Sequence, residues 1–242
     1  MNDSDALPTD KPRVWRRFAL CFALTMLAVN LVGFSRTFYL RPFFDVPPIP
    51  GYLYVHGAIG TSWFVLVLTQ TLLIANRNVA VHRRLGWIGV ALATIVMISG
   101  MYTSAHMVPR NVALGLTSAA DMTLFATVTA ADNASFIYFP ALVLLAAFFR
   151  RRTDVHKRLM LIASLGILGP AAARIASWDP PLSAFAIAPV MYGLLGSLIV
   201  YDIVTRRRPH IATVLGILFF MGVSVGTQLS GIGAALVERR MP

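Results

Sequence analysis

Apolar residues dominate this chain in long blocks separated by short polar or basic turns. Seven blocks are long enough to read as membrane helices: about 18–34, 52–75, 85–102, 136–149, 159–175, 184–201 and 211–236. One stretch, 112–131, is ambiguous. It is fairly apolar but holds Asp121 and many small or hydroxyl residues. The pattern predicts an all-α integral membrane bundle of seven transmembrane helices. A tail, 1–17, precedes the 18–236 transmembrane domain, and a short tail, 237–242, follows it.

Composition and charge sharpen this picture. The chain is 57% hydrophobic and 13% charged, and its mean hydropathy is +0.70, whereas a soluble domain is about a quarter charged. Net charge is +11, almost all of it from arginine, since only Lys11 and Lys157 are lysines. With seven spans and a cytoplasmic N-terminus, 15 basic residues fall inside and six outside, as the positive-inside rule demands. An eighth span at 112–131 would send the basic loop 150–158 outward. That stretch is therefore expected outside, as an amphipathic or re-entrant segment over the bundle, and the C-terminus outside as well. The expected location is a membrane. The partner of this basic chain is the lipid bilayer rather than nucleic acid, because the charges sit beside apolar runs and no basic–aromatic binding face appears. The first block has a basic front like a signal peptide, but it is longer than a usual signal core and lacks a small-x-small cleavage site. It reads as an uncleaved span. Cys21 is the one cysteine, which leaves no disulfide, thiolate-zinc or iron–sulfur site within the chain.

Candidate chemistry rests on few residues. His56, Trp63 and Gln70 recur every seven positions, so they form one stripe that should face the bundle interior. Gly86, Gly89, Ala93 and Gly100 form a small-residue stripe on the next span, which should pack closely against the second. Two histidines, His56 and His106, fall on the outer side together with Arg110, Asp121, Asp132, Arg174, Trp178 and Asp179. His56, His106, Asp121, Asp132 and Arg174 could line a polar pocket for a small ligand or a membrane-protein partner. A metal is chemically possible there but has no support from spacing, and the plainer alternative is a structural network that closes the outer end of the bundle. His82, His156 and His210 fall on the inner side. Haem b is a cofactor alternative, held either by His56 with His106 or by His82 with His156. His82 and His106 cannot both be deep ligands, being 24 residues and about 36 Å apart on one helix. Otherwise His82 and His156 are interfacial residues of a short repeat, VHRRLG at 81–86 and VHKRLM at 155–160. Pro140, Pro170 and Pro189 could kink their helices, which keeps a small transporter open. No G-x-x-x-x-G-K-[ST], H-E-x-x-H or G-x-S-x-G motif is present, and the reading leans away from an enzyme.

The stretch RTFYLRPFFDVPPIPGYLYVHG, the tryptophan and glutamine of SWFVLVLTQ, VHRRLG and VHKRLMLIASLGILGPAAAR together resemble an uncharacterised family of bacterial polytopic inner-membrane proteins. The resemblance covers most of 36–174 and implies a small multi-pass protein. His82, Leu85 and Gly86 are also distantly similar to the motif that opens haem-ligating helices in cytochrome b561-like membrane proteins. That similarity implies haem b.

Overall fold

The computed structural model describes residues 12–177 and 180–241, with side chains at 13–177 and 190–241. The tail 1–11, Trp178, Asp179 and the Pro189 side chain lie outside the described residues. Those that are described form nine α-helices and no strand: α1 (Pro12–Gly33), α2 (Gly51–Ala75), α3 (Val79–Ala113), α4 (Ala119–Phe148), α5 (Thr153–Gly166), α6 (Gly169–Ala176), α7 (Pro180–Arg206), α8 (Ile211–Leu229) and α9 (Ile232–Arg240). Among them, five helices are long and apolar enough to cross a membrane, namely α1 to α4 and α8, and the bent pair α5–α6 adds a sixth.

Successive long helices run antiparallel, so the turns collect at two ends. At the arginine-rich end, Arg16 Nη1 on α1 donates to Ala75 O at the end of α2 (3.4 Å), and the α4–α5 and α7–α8 turns lie there too. The core between the ends is apolar: Phe22, Met26, Trp63, Phe139, Leu142, Ile162 and Leu198 are all buried. The outer wall is apolar as well, with Trp87, Ile98, Leu144, Val204 and Leu218 exposed. Exposed large side chains on this scale suit lipid rather than water.

Three elements differ from the hydropathy reading. First, 112–131 is neither a separate amphipathic segment nor re-entrant. Its first residues finish α3, and 119–131 are the beginning of α4, joined by the turn 114–118. Ser118 starts α4 with a capping box: its hydroxyl accepts from Asp121 N–H, and the Asp121 carboxylate accepts from Ser118 N–H. Second, the last apolar block is two helices. Gly231 takes a left-handed conformation, φ 70°, open to glycine without strain, and α9 turns back onto α4. A Cβ at Gly233 would lie 2.1 Å from Ala126 O, so only glycine permits this approach. Third, the block expected at 159–175 breaks by 43° between α5 and α6. Pro170 sits in the first turn of α6, where its missing N–H costs no helical bond.

Extending past the apolar runs, α3 has 35 residues and α4 has 30, or about 52 Å and 45 Å of helix. Beyond the main core their far ends meet α9 in a small satellite core of Val108, Phe125 and Val237.

Candidate functional site

The stripe on α2 turns into the bundle, and each member bonds a neighbouring helix. His56 Nδ1 pairs with Ser99 Oγ on α3 (3.0 Å). Trp63 is buried edge-on to Phe139 and donates its indole N–H to Ser164 Oγ on α5 (3.2 Å). Gln70 is oriented so that its amide NH2 donates to His82 Nδ1 (2.7 Å) and its oxygen accepts from Gly86 N–H (3.1 Å). The facing α3 glycines give these side chains room: Gly89 lies under Leu66, and Gly100 lies under His56 and Phe136.

At the end remote from the arginine-rich turns, polar groups from five helices converge. Asp132 (α4) lies within electrostatic range of Arg174 (α6) and Arg240 (α9), and its carboxyl stands beside the Ser104 hydroxyl (α3) without a well-formed hydrogen bond. Arg174 is also within electrostatic range of His56 (α2). Its guanidinium lies over the Phe34 ring at 4.4 Å and donates to Pro170 O (3.0 Å). Among the described residues it forms no ion pair. Arg240 Nη1 donates to Ser104 O (2.9 Å), which fixes α9 against α3. The cluster therefore sets two cations against one carboxylate.

Two members of the outer set stand apart. His106 is exposed, stacked near Tyr102 (4.2 Å) and Tyr52 (5.5 Å), with Nδ1 on Tyr102 O. It is seven residues past Ser99, the partner of His56, or about 10 Å along α3. The two rings have different neighbours, His56 turning to Ser99 and His106 to the two tyrosines. Asp121 is half-buried in the first turn of α4, where its carboxylate is taken up by the capping box with Ser118. Among the described residues, no group of three or more His, Cys, Asp or Glu side chains could hold a metal ion.

At the arginine-rich end the repeated motifs meet. The His82 and His156 rings are 6.3 Å apart, centroid to centroid, and nearly perpendicular at 84°. His156 donates Nδ1–H to Ala146 O (2.8 Å). Both Nδ1 atoms are thus engaged, and neither Nε2 atom has a hydrogen-bond partner among the described residues. At the same end, Arg158 and Asp202 are wholly buried and paired through Arg158 Nε (3.1 Å) and Nη2. Asp202 Oδ2 also accepts from His210 N–H (3.0 Å) and Thr213 Oγ1. Asp154 lies in the same network, with Lys157 at 2.9 Å and Arg206 at 3.9 Å.

Ser99, Ser104 and Arg240 are the site residues that the sequence reading missed. Ser99 lies one residue before Gly100 of the small-residue stripe, which was its available signal. Arg240 had none, because its place depends on the chain reversal at Gly231. No protein-family model matches this chain, and no curated protein or solved structure matches it either.

Proposed function

We propose that this chain is a multi-pass protein of a bacterial inner membrane, with seven crossings made by α1, α2, α3, α4, α5–α6, α7 and α8. The arginine-rich end faces the cytoplasm, and α9 lies outside. Its function is to bind a small ligand with an anionic group at the outer polar cluster. One observation carries this: Arg174, half-buried at one end of a lipid-facing bundle, has no ion pair among the described residues, while His56 and Asp132 lie within electrostatic range of it and Ser104 and Arg240 stand beside Asp132. A cation in such a place is costly and marks a functional site by default. Asp132 and Arg240 set the orientation, and His56 on Ser99 offers its remaining ring nitrogen to the ligand. Equilibrium binding of carboxylate- and phosphate-bearing metabolites to detergent-purified protein tests this. Arg174→Gln should weaken the bound compound at least tenfold, with Glu238→Gln as an unaffected control. If no anion binds through Arg174, and Arg174→Met also lowers stability, the arginine is structural and the reading fails.

The His82–His156 pair favours a second reading, a b-type haem electron carrier. Two imidazoles with engaged Nδ1 and free Nε2 atoms form an axial ligand set, and arginines at 83, 84 and 150–152 on the same turns suit propionates. Ligation by His82 requires the Gln70 amide to turn over, so that its oxygen accepts from Nδ1–H. Protein from haem-replete cells should then show a Soret band that shifts on reduction and disappears in His82→Ala and His156→Ala. A colourless, folded preparation rules this out.

A further inference from the structure

The segment between α1 and α2 is built more tightly than a connector needs. After α1 the chain makes a π-helical turn, Ser35–Tyr39, and a 3-10 turn, Arg41–Phe43. Phe38 seats against Gly57, where a Cβ would come within 2.6 Å of its ring. The Tyr39 hydroxyl is committed to Asn30 Nδ2 (3.0 Å) and Thr61 Oγ1. Arg110, from the end of α3, donates to Pro48 O (3.3 Å). The result is a fixed groove of about 400 Å³ lined by Phe38, Tyr39, Arg41, Pro42, Phe44 and Tyr54.

Among the described residues, Arg41 is the one charged side chain in that lining. Its Nη2 donates to Val46 O (2.8 Å) and Pro47 O, which fixes the plane of the guanidinium. Among the described residues its Nη1 makes no hydrogen bond, and it is not buried. Arg36 stands 5.5 Å over the Phe44 ring, which holds that wall of the groove. Among the described residues no carboxylate lines the groove; Asp45, the acid of this connector, is exposed outside it. Leu40, Phe43 and Val55 project into the surroundings, Phe43 at 82% exposure. Aromatic side chains beside arginine, one turn into an apolar helix, belong at headgroup depth.

We propose that this groove binds the phosphodiester of a membrane phospholipid. One phosphate oxygen accepts from Arg41 Nη1, the aromatic walls enclose the glycerol region, and the acyl chains lie among the exposed apolar side chains of the bundle. An arginine already oriented by two carbonyls presents its remaining donors at little ordering cost. The choice of a phospholipid over a free anion rests on the apolar rim, which a free phosphate would leave in contact with water.

Native mass spectrometry of delipidated, detergent-solubilised protein tests the assignment, with phosphatidylglycerol, phosphatidylethanolamine, diacylglycerol and inorganic phosphate as the probes. The wild type should retain one more phospholipid than Arg41→Gln, with affinity falling about tenfold in that variant, and both phospholipids should bind. Because Arg41 also ties the connector, Pro42→Glu is a second arm. It adds a carboxylate at an exposed groove position, and should abolish the same bound lipid without lowering the melting temperature. Equal retention of diacylglycerol would reduce the groove to an apolar surface. Saturation by inorganic phosphate at the same site would make it a free-anion site. Lipid retention unchanged in both variants would overturn the assignment.

Discussion

Arg158 and Asp202 show what an isolated polar residue in this bundle must do. Neither exposes more than 1% of its side chain, so each depends on the other to cancel the cost of leaving water. Removing one partner from such a pair costs about 3–5 kcal/mol, and removing both costs far less. Asp202→Ala should therefore lower the apparent unfolding midpoint in detergent sharply, and Arg158→Met with Asp202→Leu should recover most of the loss. A double variant no better than the single would mean that the hydrogen bonds from His210 and Thr213 matter more than the charge pair. His210 carries a pH dependence of its own. Its Nδ1 accepts from Ala212 N–H (3.0 Å) and caps α8. Burial, and then the nearby Arg158 and Arg206, hold its pKa below the ordinary histidine value, against the pull of Asp202 and Asp154. The folded state therefore binds this proton more weakly than the unfolded chain does. The contribution is complete above pH of about 6.5 and is lost as pH falls below it. A His210→Asn variant keeps an N-cap acceptor but should lose that acid-side slope in thermal melts from pH 7 to 5.

Between helices, glycine positions separate close packing from mere conformational tolerance. A Cβ on Gly33 of α1 would lie 2.3 Å from Ala171 O on α6, whereas one on Gly60 of α2 would meet nothing within 4 Å. Gly33→Ala must push backbone from backbone and should cost about 1–3 kcal/mol. Gly60→Ala should be neutral or stabilise by up to about 1 kcal/mol. Denaturant titration of the two variants gives the comparison, and a tolerated Gly33→Ala would contradict the observed α1–α6 spacing. The same scale shows why some elements could be read in the sequence. The seven-residue spacing of His56, Trp63 and Gln70 marks a helix face directly, and each of the three does bond a neighbouring helix. Hydropathy, by contrast, follows apolar content and not the hydrogen-bond ladder. Asp132 and Asn133 interrupt the apolar run of α4 but not the helix, because Asn133 returns its amide to Thr129 O (2.8 Å) and Asp132 finds arginines. The His82–His156 contact was signalled only by a repeated motif 74 residues apart. The Arg174–Asp132–Arg240 cluster needed the fold of α9, which no local pattern announces.

Seen whole, the molecule has one basic end and one end built of long helices, and the proposed orientation can be checked there. In a Cys21→Ser background, a cysteine at Leu116 should react with a membrane-impermeant thiol reagent in intact cells, and one at Pro209 should not. The reverse pattern would invert the proposed topology. The length of α3 has a further consequence. To hide about 52 Å of helix in a 30 Å hydrocarbon layer would take a tilt of about 55°, beyond the range of 0–40° seen for membrane helices. Some of α3 and α4 must therefore stand clear of the hydrocarbon layer, stiffened by α9. This makes them a rigid post up to about 20 Å tall above that layer, of which the headgroups cover roughly 5–7 Å, so a flat-faced neighbour approaching this side meets the post before it can settle on the membrane.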